Sequence, residues 1–181
     1  MKPFNPLVFN ILNNNSYPIH PLPKGSGFLG SLWVNELDLP EVQPDPDVTI
    51  DMVSNSTEYN ELLDIFKEIF PSDINSEKEG ELRSRREYNY KGVYIAKLND
   101  EIIGFLMTGI MNFTGLIGYI LYLGVLKEYR SKGIATLLLN RFKEKLKEKN
   151  IPKIQAKIRK DNQLVLNYIK FLGFKRIEKE H

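Results

Sequence analysis

The hydrophobic and polar positions of this 181-residue chain change period several times, and each change marks an element. Val48–Val53 alternates as a strand. Tyr59, Leu62, Leu63, Phe66 and Phe70 then recur at helical spacing, with Thr57 as the expected cap and Pro71 as the stop. The polar run SEKEGELRSRREY that follows reads as a short helix or a loop. Gly92–Leu98 and Glu101–Ile110 are predicted strands, joined by a hairpin turn with Asn99 and Asp100 at its tip. Leu116–Leu126 is a further strand. A helix follows from Gly133 to Asn150, its stripe running Ala135, Leu138, Phe142 and Leu146. Ile151–Arg159 alternates again. Asn162–Phe174 returns to helical spacing and stops at Gly173, which suits a left-handed cap. A last short strand is expected in KRIEKE.

The first 46 residues differ in character. They are rich in Asn, Pro and aromatics and lack a clear period, apart from a candidate strand at Gly30–Leu37. Pro40–Asp47 reads as an extended linker, because each proline fixes its own φ and restricts its predecessor. The expected organisation is an N-terminal extension and linker over residues 1–46, then one domain over residues 47–181. Helices alternating with strands after a β-meander predict an α/β domain with a mixed, mostly antiparallel central sheet flanked by helices.

Ile102–Leu126 carries no charge and is long enough to span a bilayer. The turn-forming NFTG in its middle, together with Gly104, Gly109, Gly118 and Gly124, instead predicts two buried strands and no membrane span. The apolar start of the chain is broken by Pro6 and Asn10, so a cleaved leader is not expected and a cytoplasmic location is.

Composition removes several chemistries. With no cysteine, disulfides and thiol nucleophiles are excluded. The two histidines, His20 and His181, stand at opposite ends, which gives no support for a histidine-held zinc or a Ser-His-Asp triad; no metal is expected. Charge is uneven along the chain. Residues 1–50 carry two basic and five acidic side chains, residues 51–126 seven and twelve, and residues 127–181 sixteen and six. The basic last third would attract an anion: nucleic acid, membrane phosphate or a phosphorylated cofactor. Much of the excess lies in KEKLKEK and reads as a solvated helix face. Without aromatics among the basic residues, nucleic acid is not expected as a partner.

The turn RSKGIA, Arg130–Ala135, is not explained that way. A strand that runs directly into a helix leaves unpaired helix N–H groups at the sheet edge, where they bind phosphate. Gly133 gives a ligand room to approach, Ala135 keeps the next turn open, and Arg130 and Lys132 add positive charge. Neither GxxxxGK[ST] nor GxGxxG is present.

RSKGIA resembles the Q/R-x-x-G-x-G/A pyrophosphate loop of the GNAT superfamily of acyl-CoA N-acyltransferases. YLGVLKEY before it is similar to that family's L-x-V-x-P-x-Y lead-in, and Asn162 with YIKFLGF resembles its N-x-x-A-x-x-L-Y-x-K-x-G-F helix. The resemblance covers roughly residues 47–181. It implies acetyl-CoA as acyl donor and a direct transfer to the amine of a small-molecule or protein acceptor. The amides of Arg130, Ser131, Lys132, Gly133, Ile134, Ala135 and Thr136 would hold the pyrophosphate. Backbone groups of Leu123 and Val125 would pair with the pantetheine arm like an added strand, the Val125 amide facing the thioester carbonyl. Asn162 would contact the coenzyme arm.

The pattern departs from the family at the catalytic positions. The family's tyrosine acid falls on Ile169. Its neighbour Tyr168, about 100° around the helix, is the candidate acid, and a core tyrosine is the alternative. The glutamate base of histone-acetylating members falls on Tyr119. Tyr119 or Tyr122 could relay a proton through water, or both could be sheet aromatics. A non-catalytic GNAT module that binds acyl-CoA or a protein partner is therefore the rival reading. The oligomeric state is open, with a dimer one option. Family members continue for a strand beyond the GF-x-R segment, so the extension is expected to pack on the sheet or over the acceptor groove through Gly30–Leu37, burying Trp33.

Overall fold

The computed structural model describes residues 30–43, 45–70, 90–112, 115–159 and 163–177. The run SEKEGELRSRREY, the turn residues 113 and 114, and Asn162 lie outside them. Seven strands form one sheet: β1 (Gly30–Asn35), β2 (Val48–Met52), β3 (Val93–Leu98), β4 (Glu101–Asn112), β5 (Leu116–Val125), β6 (Ile154–Arg159) and β7 (Lys175–Ile177), in the order β2-β3-β4-β5-β6-β1-β7. Only β5 and β6 pair in parallel; every other neighbouring pair is antiparallel. The mixed sheet expected from the sequence is therefore present, and three described helices flank it: α1 (Ser56–Ile69), α2 (Ile134–Glu148) and α3 (Gln163–Phe171).

The uncharged stretch is β4 and β5. β4 is buried from Ile102 to Met111, with α1 on one face and α2 on the other, which explains why it reads as a continuous apolar run. Among the described residues no helix is long and apolar enough to cross a membrane. Asn99 and Asp100 both have positive φ, 50° and 67°, as the tight β3–β4 turn requires. On the α1 face, Tyr59, Leu62 and Phe66 pack on Val93, Ile95 and Phe105. On the other face, Leu138, Phe142 and Leu146 of α2 and Ile169 of α3 pack on Leu106, Ile154 and Ala156.

Two details of the helices differ from the sequence expectation. Asn55, not Thr57, caps α1: its side chain accepts from the Glu58 amide at 3.0 Å, and Glu58 accepts in return from the Ser54 amide at 2.8 Å. Thr57 lies inside the first turn. Ala135 is only half-buried; Ile134 and Leu139 complete the core stripe of α2 instead.

The N-terminal segment is part of the sheet. β1 lies between β6 and β7 and pairs antiparallel with both, so the segment expected to pack on the sheet is one of its strands. Trp33 is 7% exposed; its indole N–H donates to Ser31 Oγ at 2.9 Å and the Lys170 ammonium lies 6.0 Å from its ring. Asn35 donates to the carbonyls of Asp38 (3.1 Å) and Leu172 (2.9 Å), fastening the segment after β1 to the C-terminal end of α3. Gly173 follows with φ 82°, the left-handed stop expected there.

Candidate functional site

Parallel pairing between β5 and β6 covers only Gly118–Ile120 against Ile154–Ala156. Immediately beyond, Leu121 is an extra residue opposite β4: Met107 pairs with Tyr122 and Thr108 with Ile120. A bulge of this kind bends and twists its strand. From there Tyr122–Val125 keeps its pairing to β4 but not to β6, whose Lys157 and Ile158 pair with β1. The two strands part, and a cavity of about 700 Å³ opens between them.

The bulge also sets which groups face that opening. The Leu126 amide donates to the Ile103 carbonyl on β4 at 3.0 Å, so by alternation the peptide groups of Leu123 and Val125 point away from β4, toward the gap. The Val125 carbonyl accepts from Arg130 Nε at 3.0 Å on that side. Leu123 and Val125 place their side chains with the α2 and α3 core, whereas Leu121 and Tyr122 both fall on the α1 face. The cavity therefore reaches from one face of the sheet to the other.

At one end stands the turn Arg130–Gly133. Ser131 (φ 62°) and Gly133 (φ 78°) are both left-handed. A side chain at Ser131 in that region costs about 1 kcal/mol, a strain that concentrates at functional turns. Gly133 is the N-cap of α2 and, among the described residues, no side chain caps the helix; the first helical bond runs from the Leu137 amide to the Gly133 carbonyl at 3.0 Å. The amides of Ile134, Ala135 and Thr136 precede that bond, and all three residues line the cavity with Arg130, Ser131 and Gly133. Lys132 is exposed, its ammonium 5.2 Å from the Tyr129 ring, and it does not line this cavity. The helix surface beyond carries its own pairs, Arg141 with Glu144 and Lys145 with Glu148, as a solvated face would.

α3 supplies the opposite wall through Leu164, Val165, Tyr168, Ile169 and Phe171. Tyr168 and the Thr136 hydroxyl are hydrogen-bonded at 2.8 Å, which joins α3 to the first turn of α2 inside the cavity. Burial pushes the Tyr168 phenol above its ordinary value of 10.0, and the bond from Thr136 partly offsets this. Ile169, on the position of the family's tyrosine, is 4% exposed and packs in the core beside the same cavity.

The other two candidate tyrosines separate. Tyr122 lines the cavity, its ring edge-on to Phe66 at 5.0 Å and 6.0 Å from Phe70. Tyr119 is buried earlier on β5, within the paired segment opposite Gln155, and is not among the residues lining the cavity. The strands have not yet parted at that position. Asn162 lies outside the described residues.

Among the lining residues that carried no signal in the sequence are Val42, Phe70, Leu121 and Lys157. Phe70 and Leu121 read as parts of apolar runs, and Lys157 as the polar phase of a strand. Val42 stands in the linker, with nothing periodic around it.

Other proteins share this arrangement. Residues 59–174 match the acetyltransferase (GNAT) family profile. The fold is similar to aminoglycoside acetyltransferase AAC(6')-Iy in complex with the bisubstrate analogue CoA-S-monomethyl-acetylneamine (17% identity, TM-score 0.62, covering 74% of this chain and 95% of that one). It is similar to aminoglycoside 6'-N-acetyltransferase AAC(6')-Ih from Acinetobacter baumannii (19% identity, TM-score 0.62, 74% and 95% covered). It is also similar to Arabidopsis thaliana Naa50 in complex with the bisubstrate analogue CoA-Ac-MVNAL (22% identity, TM-score 0.61, 73% and 85% covered). With the parted strands, the uncapped helix start and the family profile spanning both, the chain belongs to the acetyltransferase (GNAT) family.

Proposed function

We propose that the protein transfers the acetyl group of acetyl-CoA directly to an amine. The observation that carries this reading is the cavity between the parted strands, with the uncapped α2 start at one end. Three features of the chain fit a phosphorylated, extended donor. The amides of Ile134–Thr136 and the positive helix end suit a diphosphate. The outward peptide groups of Leu123 and Val125 suit an amide-bearing arm lying alongside β5 as an added strand. The apolar lining suits the rest of the arm and a short acyl group.

The chemistry forms a C–N bond to the acceptor and breaks the thioester C–S bond. One proton leaves the amine and one reaches the thiolate. Tyr168 is our candidate for the second: it lines the cavity, and its phenol, pushed above the ordinary 10.0 by burial, carries a proton to donate. Tyr122 stands at the far side of the gap, where a relay from the acceptor through water would pass. AAC(6')-Iy and Naa50 are named with an aminoglycoside-derived and a peptide-derived analogue respectively, so a small-molecule or a peptide amine is the acceptor class we propose.

A second reading has one observation in its favour. No aspartate, glutamate or histidine is among the described residues that line the cavity. A module that binds acyl-CoA without turnover would need none. Thiol release across a panel of aminoglycosides, polyamines and N-terminal peptides, beside calorimetry with acetyl-CoA, separates the two. Binding with turnover is expected, and Tyr168→Phe should lower kcat about 10- to 100-fold with acetyl-CoA affinity unchanged. Binding without turnover on any amine would sink the catalytic reading.

A further inference from the structure

The linker after β1 makes a succession of attachments that the family's loop motif does not contain. Asn35 bonds the Leu172 carbonyl at the end of α3. Leu39 is buried in the core that α2 and α3 share. Asn140, in the middle of α2, donates to the Pro40 carbonyl at 3.0 Å. Val42 then reaches the start of α2: a Cβ built on Gly133 would lie 2.6 Å from Val42 Cγ1. Residues 35–42 thus run from the end of one cavity-lining helix to the diphosphate-binding end of the other.

Val42 borders the cavity without closing it. Arg130, Ser131, Ile134, Ala135 and Thr136 line the same space beside the valine. We propose that Val42 is a donor-site residue supplied by the N-terminal segment, and that the linker couples insertion of β1 to donor binding. This rests on the donor reading above. A bound diphosphate would lie against Val42 and hold the linker on α2; the linker in turn holds β1 between β6 and β7. The clearance at Gly133 then serves two parties, a ligand on one side and the linker on the other.

Charge at position 42 separates a contact with the ligand from a packing role. Val42→Lys and Val42→Glu disturb the linker alike but meet a diphosphate with opposite sign. Calorimetry with coenzyme A should show Val42→Glu binding about tenfold more weakly than Val42→Lys, the difference shrinking as salt rises. Pantetheine, which has no phosphate, should show no such difference. In the unaltered protein, coenzyme A should slow amide hydrogen exchange at Ser31–Asn35, which do not line the cavity. Equal coenzyme A affinities for the two variants, or unchanged exchange in β1 on binding, would overturn the inference and leave the donor reading standing. Absence of coenzyme A binding by the unaltered protein would remove both.

Discussion

Gly133→Ala tests the conformation of the turn before α2 and its contact with the linker in one experiment. The backbone at this position has φ 78°, where a Cβ costs about 1 kcal/mol. The new methyl would also stand 2.6 Å from Val42 Cγ1, well inside van der Waals contact, and Val42 is held nearby by the Asn140–Pro40 bond. Displacing it adds about 1 kcal/mol, at the low end for an overpacked site, since the valine is only half-buried. The single variant should therefore lose about 2 kcal/mol. Val42→Ala removes the clashing Cγ1; its remaining Cβ lies 3.8 Å from the built methyl, an ordinary contact. On its own Val42→Ala should cost about 1 kcal/mol of lost burial. The double variant should then be about 1 kcal/mol more stable than the sum of the singles predicts. Urea denaturation followed by circular dichroism reads all four proteins. Additivity within about 0.5 kcal/mol would refute the Val42–Gly133 contact, and a neutral Gly133→Ala would refute the left-handed turn itself.

Two further outcomes follow from other parts of the molecule. Trp33→Ala should cost about 3–5 kcal/mol, because Trp33 is packed in the core of the α2 and α3 face and β1 holds both β6 and β7; a loss below about 1 kcal/mol in urea would show β1 to be dispensable. Glu58→Gln should cost about 1 kcal/mol at neutral pH. The hydrogen bond from Lys97 holds the Glu58 carboxyl below its ordinary 4.5, so its contribution is present above that value and fades as pH falls through the lowered one. Glu58 in turn raises Lys97 above its ordinary 10.5, a contribution lost only as pH rises past the raised value. Thermal melts of the variant and its parent should therefore converge in acid and differ between those limits; a gap that persists at pH 3 would contradict the assignment.

Much of the fold was legible because burial imposes a period. The one-face alternation of Val48–Val53 and the helical stripes are consequences of sheets and helices each having a wet side, and the chargeless β4–β5 run reflects a sheet covered on both faces. The turn before α2 was legible because a glycine between a strand and a helix marks a left-handed position, and Gly133 has φ 78°. What escaped was set by distant partners. Tyr119 and Tyr122 would point to opposite faces of a regular strand; the extra residue Leu121 puts both on the α1 side, yet only Tyr122 stands beyond the point where β6 departs. Pairing across the sheet, and not the local sequence of β5, decides where that bulge sits. Val42 was equally hidden, since its role depends on where the linker is carried by Asn35 and Asn140. The cap of α1 was missed by two positions because Asn55 and Thr57 are both good cap residues, and the reciprocal bond from Glu58 chooses between them.

The place of β1 bears on how the chain comes off the ribosome. Asn35 is made early and its partner Leu172 comes 137 positions later. At elongation speeds of 5–20 residues per second, β1 spends on the order of ten seconds without either neighbour. Over that interval β2–β5 can form their meander from contiguous sequence, while β1 waits for β6. β7 pairs with β1 alone, so it can join the sheet only after β1 has been captured by β6. A nascent chain stalled before β6 should leave Trp33 in water, and fluorescence from this single tryptophan would time the closing step.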